Sequence, residues 1–143
     1  MSSLELEIQR GRDAPAIARA AIDQLCERAG LTGARCHTLR LLVSEVVTNA
    51  VLHSDAPASI PILLGAGADS DKVRVEVSDG GRCFTPSDAA RARGGWGLRL
   101  VGKEALRWGV DDLGGTVVWF ELGIGAMGGC AGGKHHERSP VSC

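Results

Sequence analysis

Glu45-Val46-Val47-Thr48-Asn49-Ala50-Val51-Leu52-His53 is the stretch of sequence that decides the fold. It ends a predicted helix that begins near Thr32 and is apolar on nearly every side, so we expect this helix to be buried. Glu45 and Asn49 are one turn apart, which places a carboxylate and an amide about 40° apart around the helix axis. Burying these groups without partners costs on the order of several kcal/mol. The pattern therefore indicates that a ligand or a specific neighbour satisfies them.

Two interpretations of this polar pair stay open from the helix alone. In the first, the Asn49 oxygen is a hard ligand for a Mg²⁺ ion that bridges substrate phosphates. Glu45 then takes a proton from a nucleophile aimed at the γ-phosphate. In the second, Glu45 pairs with an arginine and Asn49 caps a neighbouring loop.

A second segment, Asp79-Gly80-Gly81, follows a strand predicted from Lys72, in which valines alternate with polar residues. Because Asp-Gly is a common turn dipeptide, a plain turn is one interpretation. In the functional interpretation, a buried Asp79 accepts a hydrogen bond from the exocyclic amine of adenine, a donor that guanine lacks at that position. The glycines then let the base lie against the main chain.

A third segment, Gly94-Gly95-Trp96-Gly97-Leu98, precedes a helix predicted over residues 97–106. Glycines in this position let main-chain N–H groups approach phosphate oxygens, and the helix N-terminus adds favourable partial charge. A flexible hinge is the alternative. The segment is neither a P-loop nor a dinucleotide fingerprint, because no Gly-Lys-Ser/Thr occurs and the glycines do not come directly after the first strand.

The remaining periodicity predicts a strand, two helices, two strands, a connecting segment, a helix and two strands. This order predicts an α+β two-layer sandwich, with helices on one face of a mixed or antiparallel sheet. We expect an ATP-binding domain over residues 1–122 and a disordered Gly/His/Cys tail over 123–143. Outside the segments quoted above, the predicted elements are strands at 4–8, 60–64, 107–111 and 116–122, a helix at 14–29 and a hairpin loop at 65–71.

Composition excludes several classes of function. The chain has 143 residues and 44% hydrophobic residues, enough for one core. Three Trp, two Phe and no Tyr are too few for a surface that stacks nucleic-acid bases, and the net charge of −1 offers no basic stripe. No stretch is long and apolar enough to span a membrane, and the N-terminus lacks a signal-peptide pattern, so a cytoplasmic protein is expected. Five cysteines without a C-x-x-C pair predict reduced thiols.

The chain resembles the Bergerat-fold (GHKL) ATPases in four motifs that occur in the same order. Its segments 42–50 and 115–122 are typical of the small anti-sigma-factor serine kinases of actinobacteria, and the resemblance covers residues 4–122. The motifs are Glu45-x-x-x-Asn49-Ala50-x-x-His53, Asp79-x-Gly81, Gly95-x-Gly97-Leu98 and Gly115-Thr116.

The resemblance implies the histidine-kinase-like ATPase fold, with ATP and Mg²⁺ as cofactors. It implies that Asn49 ligates Mg²⁺, that Glu45 is the catalytic base and that Asp79 binds adenine. The other residues implied at the nucleotide site are His53, Gly81, Gly95, Gly97, Leu98 and Thr116.

The implied function is an anti-sigma factor that uses Mg-ATP to phosphorylate a serine of a small antagonist protein. The implied partners are that antagonist and a sigma factor, bound by a homodimer, with no direct contact to nucleic acid or membrane. The alternative is a non-catalytic, ATP-dependent binding module that sequesters a sigma factor or another transcription regulator.

Overall fold

A computed structural model describes residues 2–54, 56–81, 96–112 and 115–124. It confirms the predicted order of helices and strands. In chain order the elements are β1 (Ser2–Ile8), α1 (Ala14–Ala29), α2 (Gly33–His53), β2 (Ile62–Ala68), β3 (Lys72–Ser78), α3 (Trp96–Glu104), β4 (Arg107–Asp112) and β5 (Thr116–Gly123).

The strands form one antiparallel sheet in the order β1-β2-β3-β5-β4. Along β2 and β3, alternate residues are buried, because one side of the sheet faces the helices. The core lies between that side and helices α1 and α2, and it includes Phe120, Leu64, Val75, Leu42 and Val46. The α+β two-layer sandwich is confirmed, and all strand pairs in the described residues are antiparallel rather than mixed.

The boundaries of α1 agree with the sequence signals. Pro15 stands in the first turn, where its missing N–H has no helical partner to lose. Gly30 ends the helix in the left-handed conformation with φ of 69°. The N–H of Leu31 then donates to the carbonyl of Cys26 at 2.8 Å, which closes the last turn.

The prediction of a strand over 60–64 followed by a loop over 65–71 is wrong in its boundary. β2 continues to Ala68, and Gly65 pairs with both β1 and β3. The Gly-Ala composition of residues 65–68 is typical of a loop. In the structure Ala66 and Ala68 face the core, and the main chain forms hydrogen bonds with strands on both sides. Pro61 precedes β2, as expected for a strand-initial proline, and the strand itself lies inside the sheet.

The two helices that cover the sheet are joined by a disulfide between Cys26 and Cys36. The prediction of reduced thiols is therefore wrong for this pair. The Cα atoms are 6.1 Å apart, because the tight connection after Gly30 brings the end of α1 beside the start of α2. A spacing of ten residues belongs to no local cysteine motif, so the sequence alone gave no signal for this bond.

Helix α2 is buried on one side and open on another. Leu39, Leu42, Val43, Val46 and Val47 lie in the core. Leu41 and Leu52, on another side of the helix, are 40% and 60% exposed. The prediction of a helix buried nearly all round is wrong for this side.

Candidate functional site

The acidic turn at the end of β3 is held by a hydrogen bond within the turn, and its first and last residues, Asp79 and Gly81, are buried. Asp79 is 3% exposed, and its Oδ1 accepts a hydrogen bond from the N–H of Gly81 at 2.7 Å. Gly80 between them has φ of 72°, a conformation that a residue with a side chain rarely adopts. The carboxylate therefore fixes its own turn.

The start of β5 supports this turn from behind. The N–H of Asp79 donates to the Thr116 carbonyl at 3.1 Å, and the N–H of Thr116 donates to the Gly81 carbonyl at 3.1 Å. Thr116 is completely buried. Gly115 lies directly against Gly80, where an added Cβ would stand 2.9 Å from the Gly80 Cα atom. The structure thus brings together Asp79, Gly81 and Thr116, which the sequence places up to 37 residues apart.

Asn49 and Glu45 lie on α2 in different environments. Asn49 is 5% exposed. Glu45 is half-buried and lies on the same side of the helix as the exposed Leu41 and Leu52. Within the described residues, Glu45 makes no ion pair and no side-chain hydrogen bond. The alternative in which Glu45 pairs with an arginine therefore has no support in this part of the chain.

Arg10 links the helix to the acidic turn. Its guanidinium donates to the main-chain carbonyl of Ala50, at 3.1 Å, and to that of Asp79. Since Ala50 directly follows Asn49, the amide-bearing turn of α2 and the acidic turn face the same side chain. Sequence reasoning missed Arg10, because a lone arginine after an edge strand carries no pattern that separates it from a solvated surface residue.

Four of the predicted residues cannot be placed in full. Gly95 lies outside the described residues. His53 ends α2, and Gly97 and Leu98 lie in the first turn of α3, but only their backbone is described. The prediction that a glycine-rich segment leads into a helix agrees with α3 beginning at Trp96.

Over the described ranges, there is no cluster of three or more His, Cys, Asp or Glu side chains suited to a metal ion. No helix in these ranges combines the length and the apolar character needed to cross a membrane.

Residues 11–121 match the family model of the histidine kinase-like ATPase domain. The chain belongs to this family. A comparison with curated proteins finds no match. As a histidine kinase-like ATPase, the chain carries an ATP-binding domain, and the match includes α2, the acidic turn and nearly all of β5.

The residues of this histidine kinase-like ATPase domain fit a magnesium–nucleotide complex. Asn49 has a buried side-chain amide, whose oxygen is of the hard type that Mg²⁺ prefers. Gly80 and Gly115 approach each other closely beside Asp79, and the Ile60 side chain lies against Gly80.

Proposed function

We propose that this chain is a serine/threonine-protein kinase that acts as an anti-sigma factor. It transfers the γ-phosphate of Mg-ATP to a serine hydroxyl of a small antagonist protein. The observation that carries the proposal is Glu45, a half-buried carboxylate without a partner in the described residues, one helical turn from the buried Asn49. Family membership supports the ATP-binding part, and the sequence resemblance supports the choice of acceptor.

Phosphoryl transfer requires residues of this chain in three roles. Asp79 accepts a hydrogen bond from the adenine amine and thereby orients the nucleotide. The Asn49 oxygen would hold Mg²⁺, which, when bound, neutralises charge on the phosphates. Glu45 accepts the proton of the serine hydroxyl. At the same time the serine oxygen forms a bond to the γ-phosphorus, and the bond from that phosphorus to the ADP oxygen breaks.

The position of Glu45 suits a base that must meet a second protein. A fully enclosed carboxylate could not reach an acceptor hydroxyl on another chain, and a fully exposed one would be held less firmly. Leu41 and Leu52 flank this side of α2 and are 40% and 60% exposed. A partner protein that reached Glu45 would therefore also cover these two apolar side chains.

The partners and the setting belong to the same proposal. We propose a cytoplasmic homodimer that sequesters a sigma factor and phosphorylates the antagonist. These features rest on the resemblance to anti-sigma-factor serine kinases. The non-catalytic binding module differs from this proposal in one respect, since it binds Mg-ATP without transferring phosphate.

The test is a transfer assay on three forms of the protein. Proteins that co-purify from the native cell are incubated with γ-labelled ATP and wild type, Glu45→Gln or Glu27→Gln, the last being an exposed glutamate of α1 that serves as the matched control. We expect wild type and the control to label a serine of a small protein, and Glu45→Gln to bind ATP without labelling it.

Two results contradict the proposal. Equal labelling by Glu45→Gln and wild type means that Glu45 is not the base. Binding of Mg-ATP by wild type without labelling of any co-purifying protein means that the non-catalytic module is the correct function.

A further inference from the structure

The side chain of Arg10 joins three separate segments of the chain. Its Nε donates to the Ile60 carbonyl at 3.1 Å, one terminal nitrogen donates to the Ala50 carbonyl at 3.1 Å, and the other donates to the Asp79 carbonyl. These partners lie 50, 40 and 69 residues away in sequence. One guanidinium therefore fixes three distant pieces of backbone relative to each other.

Each of these carbonyls lies where regular secondary structure provides no donor. Ala50 is in the last turn of α2, whose carbonyls have no partner within the helix. Asp79 follows the last residue of β3, and Ile60 stands before β2 begins. The hydrogen bonds to Ala50 and Asp79 are partly buried, where a carbonyl needs a donor, and a cation at a helix C-terminus is additionally favourable. The planar fork of an arginine can satisfy several such acceptors at once.

Two of the three segments carry residues of the proposed nucleotide site, and the third packs against one of them. Ala50 directly follows Asn49, and Asp79 is the carboxylate proposed to read the base. The Ile60 side chain packs against the acidic turn, since a Cβ added at Gly80 would lie 2.8 Å from the Ile60 Cγ2 atom. Arg10 thus determines how far the Asp79 turn stands from the helix that carries the Asn49 amide.

We propose that Arg10 is a positioning residue for base recognition. By holding the Asp79 main chain against the end of α2, it aims the carboxylate at the purine amine while Asn49 faces the phosphates. This inference rests on the proposed nucleotide site and adds a residue that touches neither base nor phosphate. Its loss should therefore alter selectivity for the base as well as affinity.

The experiment measures the dissociation constants of Mg-ATP and Mg-GTP by calorimetry. The variants are Arg10→Met, which keeps much of the side-chain length without donors, and Arg10→Lys, which keeps the charge without the fork. Arg28→Met is the matched control, because Arg28 is exposed and, among the described residues, its side chain donates only to the Ser3 carbonyl, at 3.5 Å. Thermal unfolding of each variant sets a measuring temperature at which it is folded.

For Arg10→Met we expect ATP affinity to fall roughly tenfold, the effect of one or two lost hydrogen bonds, and the ATP-over-GTP preference to fall with it. The ATP affinity and the ATP-over-GTP preference of Arg10→Lys should lie between those of Arg10→Met and wild type. Arg10→Lys also tests the proposal if Arg10→Met does not fold. Arg28→Met should bind both nucleotides as wild type does.

A folded Arg10 variant with a lower melting temperature but an unchanged ATP-over-GTP preference would overturn the proposal, because Arg10 would then only stabilise the fold. Wild-type protein that binds no nucleotide would overturn the site itself along with it. The two failures are distinguishable, since in the first wild type binds ATP selectively and Asp79→Asn, measured alongside, loses that selectivity.

Discussion

Replacing Asp79 by asparagine tests the assignment of the base-reading residue. The carboxylate is 3% exposed and already accepts the Gly81 N–H at 2.7 Å. The two carboxylate oxygens can accept hydrogen bonds from the Gly81 N–H and from the adenine amine together. Asparagine has only one oxygen, so its NH₂ group would face one of these two donors. Asp79→Asn is close to isosteric, so the change is one of charge and hydrogen bonding.

The magnitude follows from the bond to the adenine amine, because the Gly81 bond is made with and without nucleotide. A hydrogen bond to a charged group contributes about 2 kcal/mol. This corresponds to a roughly 30-fold weaker affinity for ATP. GTP should lose less, because the new amide can donate to the carbonyl that guanine carries in place of the amine.

Calorimetric titration of wild type and Asp79→Asn with Mg-ATP and Mg-GTP measures both numbers. Asp71→Asn, an exposed residue of the turn between β2 and β3, is the matched control and should behave as wild type. An unaltered preference for ATP over GTP in a folded Asp79→Asn protein would refute the reasoning.

Three further predictions concern the metal, the disulfide and acid stability. Asn49→Ala should weaken ATP binding more with Mg²⁺ than with EDTA, and equal weakening in both titrations argues against a ligand role. Cys26→Ser should lower the free energy of unfolding by about 2.7 kcal/mol, the chain-entropy value for the ten-residue separation from Cys36, in denaturant titrations without reductant; identical midpoints would contradict this. Hydrogen bonds from two main-chain N–H groups lower the pKa of Asp69, so its stabilisation is present at neutral pH and is lost as the pH falls below about 3.9. The difference in urea midpoint between wild type and Asp69→Asn should accordingly vanish in acid, and a difference that is constant with pH would rule this out.

The sequence predicts those elements whose local pattern and tertiary environment agree. Helix α1 has a proline at its start and a glycine at its end, and its predicted bounds of 14–29 are those observed. Strand β3 alternates valine with polar residues and keeps that alternation in the sheet. In both cases one face is buried, so periodicity and packing carry the same information.

The sequence fails where long-range contacts override composition. The second half of β2 consists of glycine and alanine, which favour loops, yet strands on both sides supply its hydrogen bonds. The disulfide joins two helices across a turn that no cysteine motif marks. Leu41 and Leu52 are exposed although they look like core residues, because amphipathic analysis does not show which side of α2 is left uncovered.

The candidate site divides in the same way. The motif residues Asp79, Gly81 and Thr116 are joined by hydrogen bonds in the structure. Arg10 lies outside every motif, and its contacts depend on where three other segments end. A residue that acts on distant backbone carbonyls has no signature in its own sequence neighbourhood.

The central claim is that the acidic turn and the polar pair of α2 together bind Mg-ATP. Calorimetric titration of the folded wild-type chain with Mg-ATP, and then with ATP in EDTA, tests it most directly. The account predicts a saturable heat at one nucleotide per chain, with tighter binding when Mg²⁺ is present. A folded protein that releases no heat up to millimolar Mg-ATP would contradict it.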